Sequence, residues 1–175
     1  MTWEQLVAVF AVINEPYAKA YVATPPTAES IERINRALNI SLPGSLVRFA
    51  EDCPSYGTWF ASIGADYDSY LHILELNKAF RAEGDFGNDG KLLPPLPKDL
   101  VLINHGHDGD WDCLEMGTYN EQAREFRLRH WNQISGQLSN LMWPTFREYL
   151  EWHVGNWRKH ATNEIRSHVE KILGL

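Results

Sequence analysis

Residues 28–49 read AESIERINRALNISLPGSLVRF, and this stretch predicts one helix, a short break and the start of a second helix. Three apolar side chains of the first helix recur at helical spacing and form one apolar face. They are Ile31, Ile34 and Leu38. Thr27 is predicted to be the N-cap, because its hydroxyl can accept from the backbone N–H groups that begin the helix.

The second helix is predicted to begin at Pro43. Proline has no backbone N–H, which costs nothing at a first helical position, and Leu46 and Phe49 then face inward. Such a helix pair is typical of ordinary α+β domains. The order of the features further along the chain therefore decides how specific the prediction becomes.

Strand-like patterns and further helices follow the pair. The elements predicted there are a polar helix near residues 72–81, strands over 100–104, 111–116 and 125–131, a polar loop over 133–140, and a helix over 146–157. Phe126, Leu128 and His130 alternate with Arg127, Arg129 and Trp131, as in a half-buried antiparallel strand. Trp111 and Trp131 are interpreted as core side chains in preference to interface ones, and Thr145-x-x-Glu148 is a capping-box pattern.

Both ends of the chain are also predicted to be helical. Apolar residues at Trp3, Leu6 and Phe10 form a stripe, and Asn14-Glu15-Pro16 is expected to end that first helix. Thr162 is the expected N-cap of a last helix, whose inward residues are Ile165, Val169 and Ile172.

This succession of motifs resembles the SUKH superfamily (Smi/Knr-like domains), whose fold also occurs in regulators of fungal cell-wall synthesis. The resemblance covers roughly residues 24–153. The matching positions are Ile31 and Glu32, Leu42-Pro43, Gly57, Gly109-Asp110 followed by Cys113-Leu114, and residues 146–150. The family usually has an Asn-Gly-Gly-like turn after the second helix, whereas residues 53–57 replace it here and keep only the glycine.

The predicted fold class is α+β, with a mixed, mainly antiparallel sheet flanked by helices and with extra N- and C-terminal helices. We expect one domain over residues 1–175, with a core at about 24–153 and a helical extension over 154–175. The two cysteines, Cys53 and Cys113, form no disulfide framework, which favours a reducing cytosol. We identify no signal peptide and no segment with the ~20 apolar residues that span a bilayer.

The net charge of -7 is unevenly distributed along the chain. Residues 51–115 contain thirteen Asp/Glu and four Lys/Arg, a balance of -9, and the remainder has a balance of +2. Solvated loops are one explanation of this imbalance. An acidic surface for a basic protein partner is the other, because complementary potentials speed encounter. Direct nucleic-acid binding is disfavoured, since Lys and Arg must neutralise phosphates.

The segment 105–113, HGHDGDWDC, holds several residue types that can bind metals. Strand alternation, however, places Asp110 and Asp112 on one face and Cys113 on the other. The segment also lacks the acidic twelfth position of a calcium loop, so a hairpin turn is favoured over a metal site. A catalytic pair of Cys53 with a nearby histidine has no supporting motif, and we predict no cofactor, no metal and no catalytic residue.

The resemblance implies a bacterial immunity protein that neutralises a cognate toxin domain in the cytosol by occluding its active site; nucleases are prominent among the toxins of the family. A regulatory scaffold is the alternative, and a metal hydrolase built on residues 105–112 is a second one. Acidic and tyrosine residues on two predicted loops are the candidate partner contacts. They are Asp66, Tyr67, Asp68, Asp108, Asp110 and Asp112.

Overall fold

The computed structural model describes residues 1–18, 27–53, 69–82, 90–105 and 110–175. Within them the chain forms six helices and four strands. In chain order these are α1 (Trp3–Ala18), α2 (Ala28–Leu38), α3 (Gly44–Asp52), α4 (Ser69–Ala82), β1 (Leu100–His105), β2 (Asp110–Asn120), β3 (Glu125–Asn132), β4 (Gln137–Trp143), α5 (Phe146–His160) and α6 (Asn163–Leu173). The sheet is antiparallel throughout these strands, which confirms the predicted α+β class.

The strands lie side by side in chain order, β1-β2-β3-β4. The prediction of a polar loop over residues 133–140 holds for the turn over 133–136 and is wrong for 137–140, because residues 137–143 form β4 and pair with β3. The chain reverses at Gly136, whose φ of +68° suits glycine, and Leu138 then lies opposite Trp131. The β4 sequence carries little of the apolar alternation by which a strand is recognised.

Apolar side chains cover both faces of the sheet. The main core lies between one face and helices α1, α2, α3 and α5, and it also includes Leu74 of α4 and Val169 of α6. On the other face, α4 and the Pro-rich segment before β1 cover a second cluster. Its buried members are Phe80, Leu96, Leu100, Leu102, Trp111, Cys113 and Trp131. Both tryptophans are therefore core residues, as predicted, and Cys113 lies on the opposite face from Asp112.

β3 is half-buried along only part of its length. Phe126 and Leu128 face the main core, and Arg127 and Arg129 are partly exposed on the other face, as the alternation predicts. Trp131 shares the face of the arginines but has no exposed surface, because the second cluster covers that end of the sheet.

The predicted N-caps of three helices are confirmed. The hydroxyl oxygens of Thr27, Thr145 and Thr162 each accept a hydrogen bond from the backbone N–H three residues later, at 3.1, 3.2 and 3.4 Å. The end of α1 differs from the prediction, since the helix continues past Pro16 to Ala18. A proline removes one hydrogen bond but its own φ is helical, so the backbone after it can stay helical.

α3 receives its cap from a distant residue. Pro43 is its N-cap and makes no side-chain capping bond, and the helix begins at Gly44, one residue later than predicted. Instead, Oε1 of Glu125, at the start of β3, accepts from the N–H of Ser45 at 2.9 Å. Oε2 of the same carboxylate accepts from the N–H of Phe146, the first residue of α5, at 3.2 Å. One buried carboxylate thus holds the N-termini of two helices against the sheet.

Candidate partner-binding surface

Two of the six predicted partner contacts fall within the described residues. Asp66, Tyr67, Asp68 and Asp108 lie outside them, whereas Asp110 and Asp112 are at the start of β2. Both side chains lie on the same face of that strand, as the alternation predicts. Asp110 is partly exposed, and its Oδ1 accepts from the side-chain amide of Asn132 at 2.8 Å.

Asp112 is an interior residue with 4% exposure. One carboxylate oxygen accepts a short hydrogen bond from the hydroxyl of Tyr149 in α5. The other lies 2.5 Å from Nδ1 of His130, which is the cross-strand partner of Asp112 in β3. Asp112 therefore joins two strands to a helix, and its direct contribution to a surface is small.

His130 reaches the surface from this buried pair, with 22% of its side chain exposed. Trp143 and Trp152 flank the imidazole with ring centroids at 4.8 and 5.7 Å. Burial alone lowers the pKa of His130. The hydrogen bond to Asp112 and the charges of Asp112 and Asp110 outweigh that effect, so the pKa of His130 is raised above its ordinary value. A protonated His130 is consequently favoured between its two carboxylate neighbours.

His153 lies deeper, on α5, and behaves in the opposite way. Its ring packs at 5.9 Å from that of Phe10 and at 6.2 Å from that of Tyr149. Burial lowers the pKa of His153 to about 4, the charge of Asp112 opposes this shift and the charge of His130 reinforces it. The neutral form of His153 is therefore the one that the fold stabilises.

These two histidines predict a maximum in stability near pH 6.5. The raised pKa of His130 adds stability that is complete below the unfolded-state pKa and is lost as pH rises through the folded-state pKa. The lowered pKa of His153 adds stability that is complete above pH 6.5 and is lost as pH falls toward about 4. Denaturant unfolding at pH steps between 4 and 9 should show both limbs.

Two variants show whether these histidines, rather than other titrating groups, cause the two limbs of the stability profile. We expect His153→Phe to flatten the acidic limb by roughly 3 kcal/mol between pH 6.5 and 4, since 1.36 kcal/mol corresponds to one pKa unit. We expect His130→Gln to flatten the alkaline limb and to reduce the acidic limb only slightly, because the charge of His130 is the smallest of the causes that shift the pKa of His153. If neither variant changed the slope of the free energy of unfolding against pH, the assignment of the two limbs to His130 and His153 would be wrong.

Asp110, His130 and Trp152 together form the candidate surface that the described residues support. All three are partly exposed, and they combine a carboxylate, an imidazole and a large aromatic ring. Aromatic side chains such as tryptophan are enriched in the cores of protein interfaces, and the rims of these interfaces are polar. His130 and Trp152 were not among the contacts predicted from the sequence. Predicting them requires the register that pairs Asp112 with His130, and this register cannot be read from either strand alone.

The described residues contain no group of three or more His, Cys, Asp or Glu side chains placed to hold a metal ion. Residues 106–109 of the segment considered for metal binding lie outside them. Both cysteines are buried and free. Burial raises the pKa of Cys53 to about 12 and that of Cys113 well above its usual range, so the described surroundings disfavour a nucleophilic thiolate at either position. Among the described helices, none is long and apolar enough to cross a membrane.

A comparison with protein families matches residues 25–152 to the SMI1 / KNR4 family (SUKH-1). A comparison with curated proteins found no match. The matched region runs from α2 into α5 and includes Asp110, Asp112, His130 and Trp152. α1 and α6 lie outside it and pack against each other, with side chains of both helices in the main core. The match covers well over half of the sequence, in agreement with the predicted resemblance, and the chain belongs to the SMI1 / KNR4 family (SUKH-1).

Proposed function

We propose that this protein is an immunity protein, which binds a toxin domain in the cytosol of the producing cell and occludes its active site. Family membership is the observation that carries the proposal. The absence of a metal-binding group among the described residues and the protonated state favoured for both buried thiols are compatible with a binding module rather than an enzyme.

The toxin is proposed to be basic, as a nuclease with a positively charged cleft would be. The support is the charge balance of -9 over residues 51–115 in a chain whose remainder carries +2. Such a field speeds the encounter with an oppositely charged partner and suppresses wrong partners.

The proposed contacts combine the predicted acidic loops with the surface around His130. Asp110 is the described residue common to both. Asp66, Tyr67, Asp68 and Asp108 remain proposed contacts, and His130 and Trp152 are added to them. Asp112 acts indirectly, by holding His130 from below.

A protection experiment tests the function itself. The toxin domain encoded beside this gene is expressed from an inducible promoter, with or without this chain, and cell survival is counted. We expect survival only when the chain is present, together with a one-to-one complex in solution. Death in its presence, with no complex formed, would reject the immunity role and favour the regulatory scaffold.

Charge-neutral variants test the contact surface by binding kinetics. Replacing Asp66, Asp68, Asp108 and Asp110 by Asn removes four charges with little change in shape. We expect the association rate to fall tenfold or more at low salt and the difference to shrink above 0.1 M salt, where charges beyond ~10 Å are screened. The control removes four exposed carboxylates outside the acidic third, by Glu29→Gln, Glu121→Gln, Glu148→Gln and Glu164→Gln. Equal effects of the two quadruple variants would show that only net charge matters.

A further inference from the structure

One edge of the His130 ring is open to a binding partner. Nδ1 points inward, 2.5 Å from the carboxylate of Asp112, whose other oxygen accepts from the hydroxyl of Tyr149. Trp143 and Trp152 lie against the ring. Because Nδ1 is buried, the 22% of the side chain that is exposed lies at the opposite edge, which carries Nε2. Nε2 makes no hydrogen bond to any residue that the structure describes.

The groups that face this ring favour its cationic form. β2 supplies the carboxylates of Asp112 and Asp110, and β4 supplies no charged side chain. α5 supplies Tyr149 and His153, and His153 is neutral because burial lowers its pKa to about 4. Burial also lowers the pKa of His130, but the bond to Asp112 and the two carboxylate charges raise it more. In the cationic form Nε2 carries a hydrogen and is a donor.

We propose that Nε2–H of His130 donates a hydrogen bond to a carboxylate of the toxin, so that the complex takes up a proton when it forms with a neutral ring. This inference rests on the proposed immunity function and names one group of the partner. The other proposed contacts are aspartates, a tyrosine and a tryptophan, so His130 is the one among them that can be a cation. A carboxylate on a basic toxin would face only like charges at the aspartates, and burying it unpaired would be costly.

The surroundings of His130 prepare the ring for this bond. Asp112 and the two tryptophan rings fix the orientation of the imidazole, so little side-chain freedom is lost on binding. The partly exposed ring of Trp152, with its centroid 5.7 Å from that of His130, would help to exclude water from the contact. A charged acceptor makes the strongest hydrogen bond to a cationic donor, and the exclusion of water strengthens it further.

Titration calorimetry with the toxin domain encoded beside this gene measures the proton directly, when the same binding is repeated in two buffers of different ionisation enthalpy. Between pH 7 and 9 we expect an uptake of up to about one proton per complex. The dissociation constant should rise by up to about tenfold per pH unit above the pKa of the free ring. Nitrogen-15 NMR at the same pH should show the imidazole of His130 partly neutral in the free chain and protonated at both nitrogens in the complex.

His130→Asn separates toxin binding from the support that His130 gives to Asp112. The asparagine amide can still donate to Asp112 from near the place of Nδ1, but the outer edge of the ring is gone. We expect the dissociation constant at pH 7 to rise at least tenfold and the proton uptake to vanish. Denaturant unfolding checks that the variant is folded. His168→Asn is the matched control, because His168 is an exposed histidine of α6, and it should change neither quantity.

Release of a proton on binding would overturn the proposal, since Nε2 would then be an acceptor for a cation of the toxin. Uptake that persists in His130→Asn would also overturn it, because another group would be taking the proton. A folded His130→Asn that binds as tightly as the wild type would reduce His130 to a structural role. In these three cases a complex still forms and the immunity function stands. A chain that forms no complex and protects no cell would overturn both.

Discussion

Phe146→Ala is expected to lower the free energy of unfolding by about 3–5 kcal/mol, which is a large fraction of the stability of a small protein. Phe146 begins α5 and has no exposed surface. Its ring lies 5.8 Å from those of Phe49 in α3 and Tyr149 in α5. Truncation removes these contacts and leaves a cavity where two helices meet the sheet, and the sheet limits how far they can close it.

Denaturant unfolding at constant pH measures this loss. Phe146→Leu retains most of the volume and should lose less than half as much. Ile134→Ala is the control for deleting an apolar side chain, because Ile134 is 65% exposed in the β3–β4 turn and should change stability by less than about 0.5 kcal/mol. A loss below about 1 kcal/mol in Phe146→Ala would mean that α5 is not docked as described.

Local patterns predicted much of this fold because the forces behind them are local. Thr27, Thr145 and Thr162 can be identified as caps because each hydroxyl accepts from an N–H only three residues later. This contact does not depend on the rest of the fold. The apolar face of α2 and the inward position of Phe49 follow in the same way from helical spacing.

Features that depend on residues far apart in the chain could not be predicted from the sequence. β4 is held by pairing with β3 and by Leu138 beneath the second cluster, and neither contact is visible in residues 137–143 alone. The two interior roles of Asp112, toward Tyr149 and His130, also join elements far apart in the chain. An aspartate beside a Gly-rich turn favours a surface interpretation, whereas the strand register turns this one inward.

Glu125 is the strongest case of such a distant role, and its removal gives the second large expected effect. Glu125→Ala should lower the free energy of unfolding by about 3–6 kcal/mol, because a hydrogen bond to a charged group contributes roughly 1.5–3 kcal/mol and two are lost together. We expect the loss to affect α3 more than α5. Pro43 makes no side-chain capping bond to α3, whereas Thr145 also caps α5.

Two further variants separate the capping role from burial. Glu125→Gln keeps the shape but replaces one acceptor oxygen by an NH₂ donor, so it should retain one of the two capping bonds and lose about half as much stability. Glu121→Ala removes an exposed carboxylate from the preceding turn and should change stability by less than about 0.5 kcal/mol.

Amide hydrogen exchange can show that the single carboxylate holds both helices. In the wild type, the amides of Ser45 and Phe146 are bonded to Glu125 and should exchange slowly. In Glu125→Ala both should exchange faster than the global loss of stability explains, because each helix N-terminus can then open locally. The amide of Ser30, bonded to Thr27 at the start of α2, should follow the global change alone. Faster local exchange at only one of the two amides would show that the two helices are anchored independently, and would contradict a shared anchor at the start of β3.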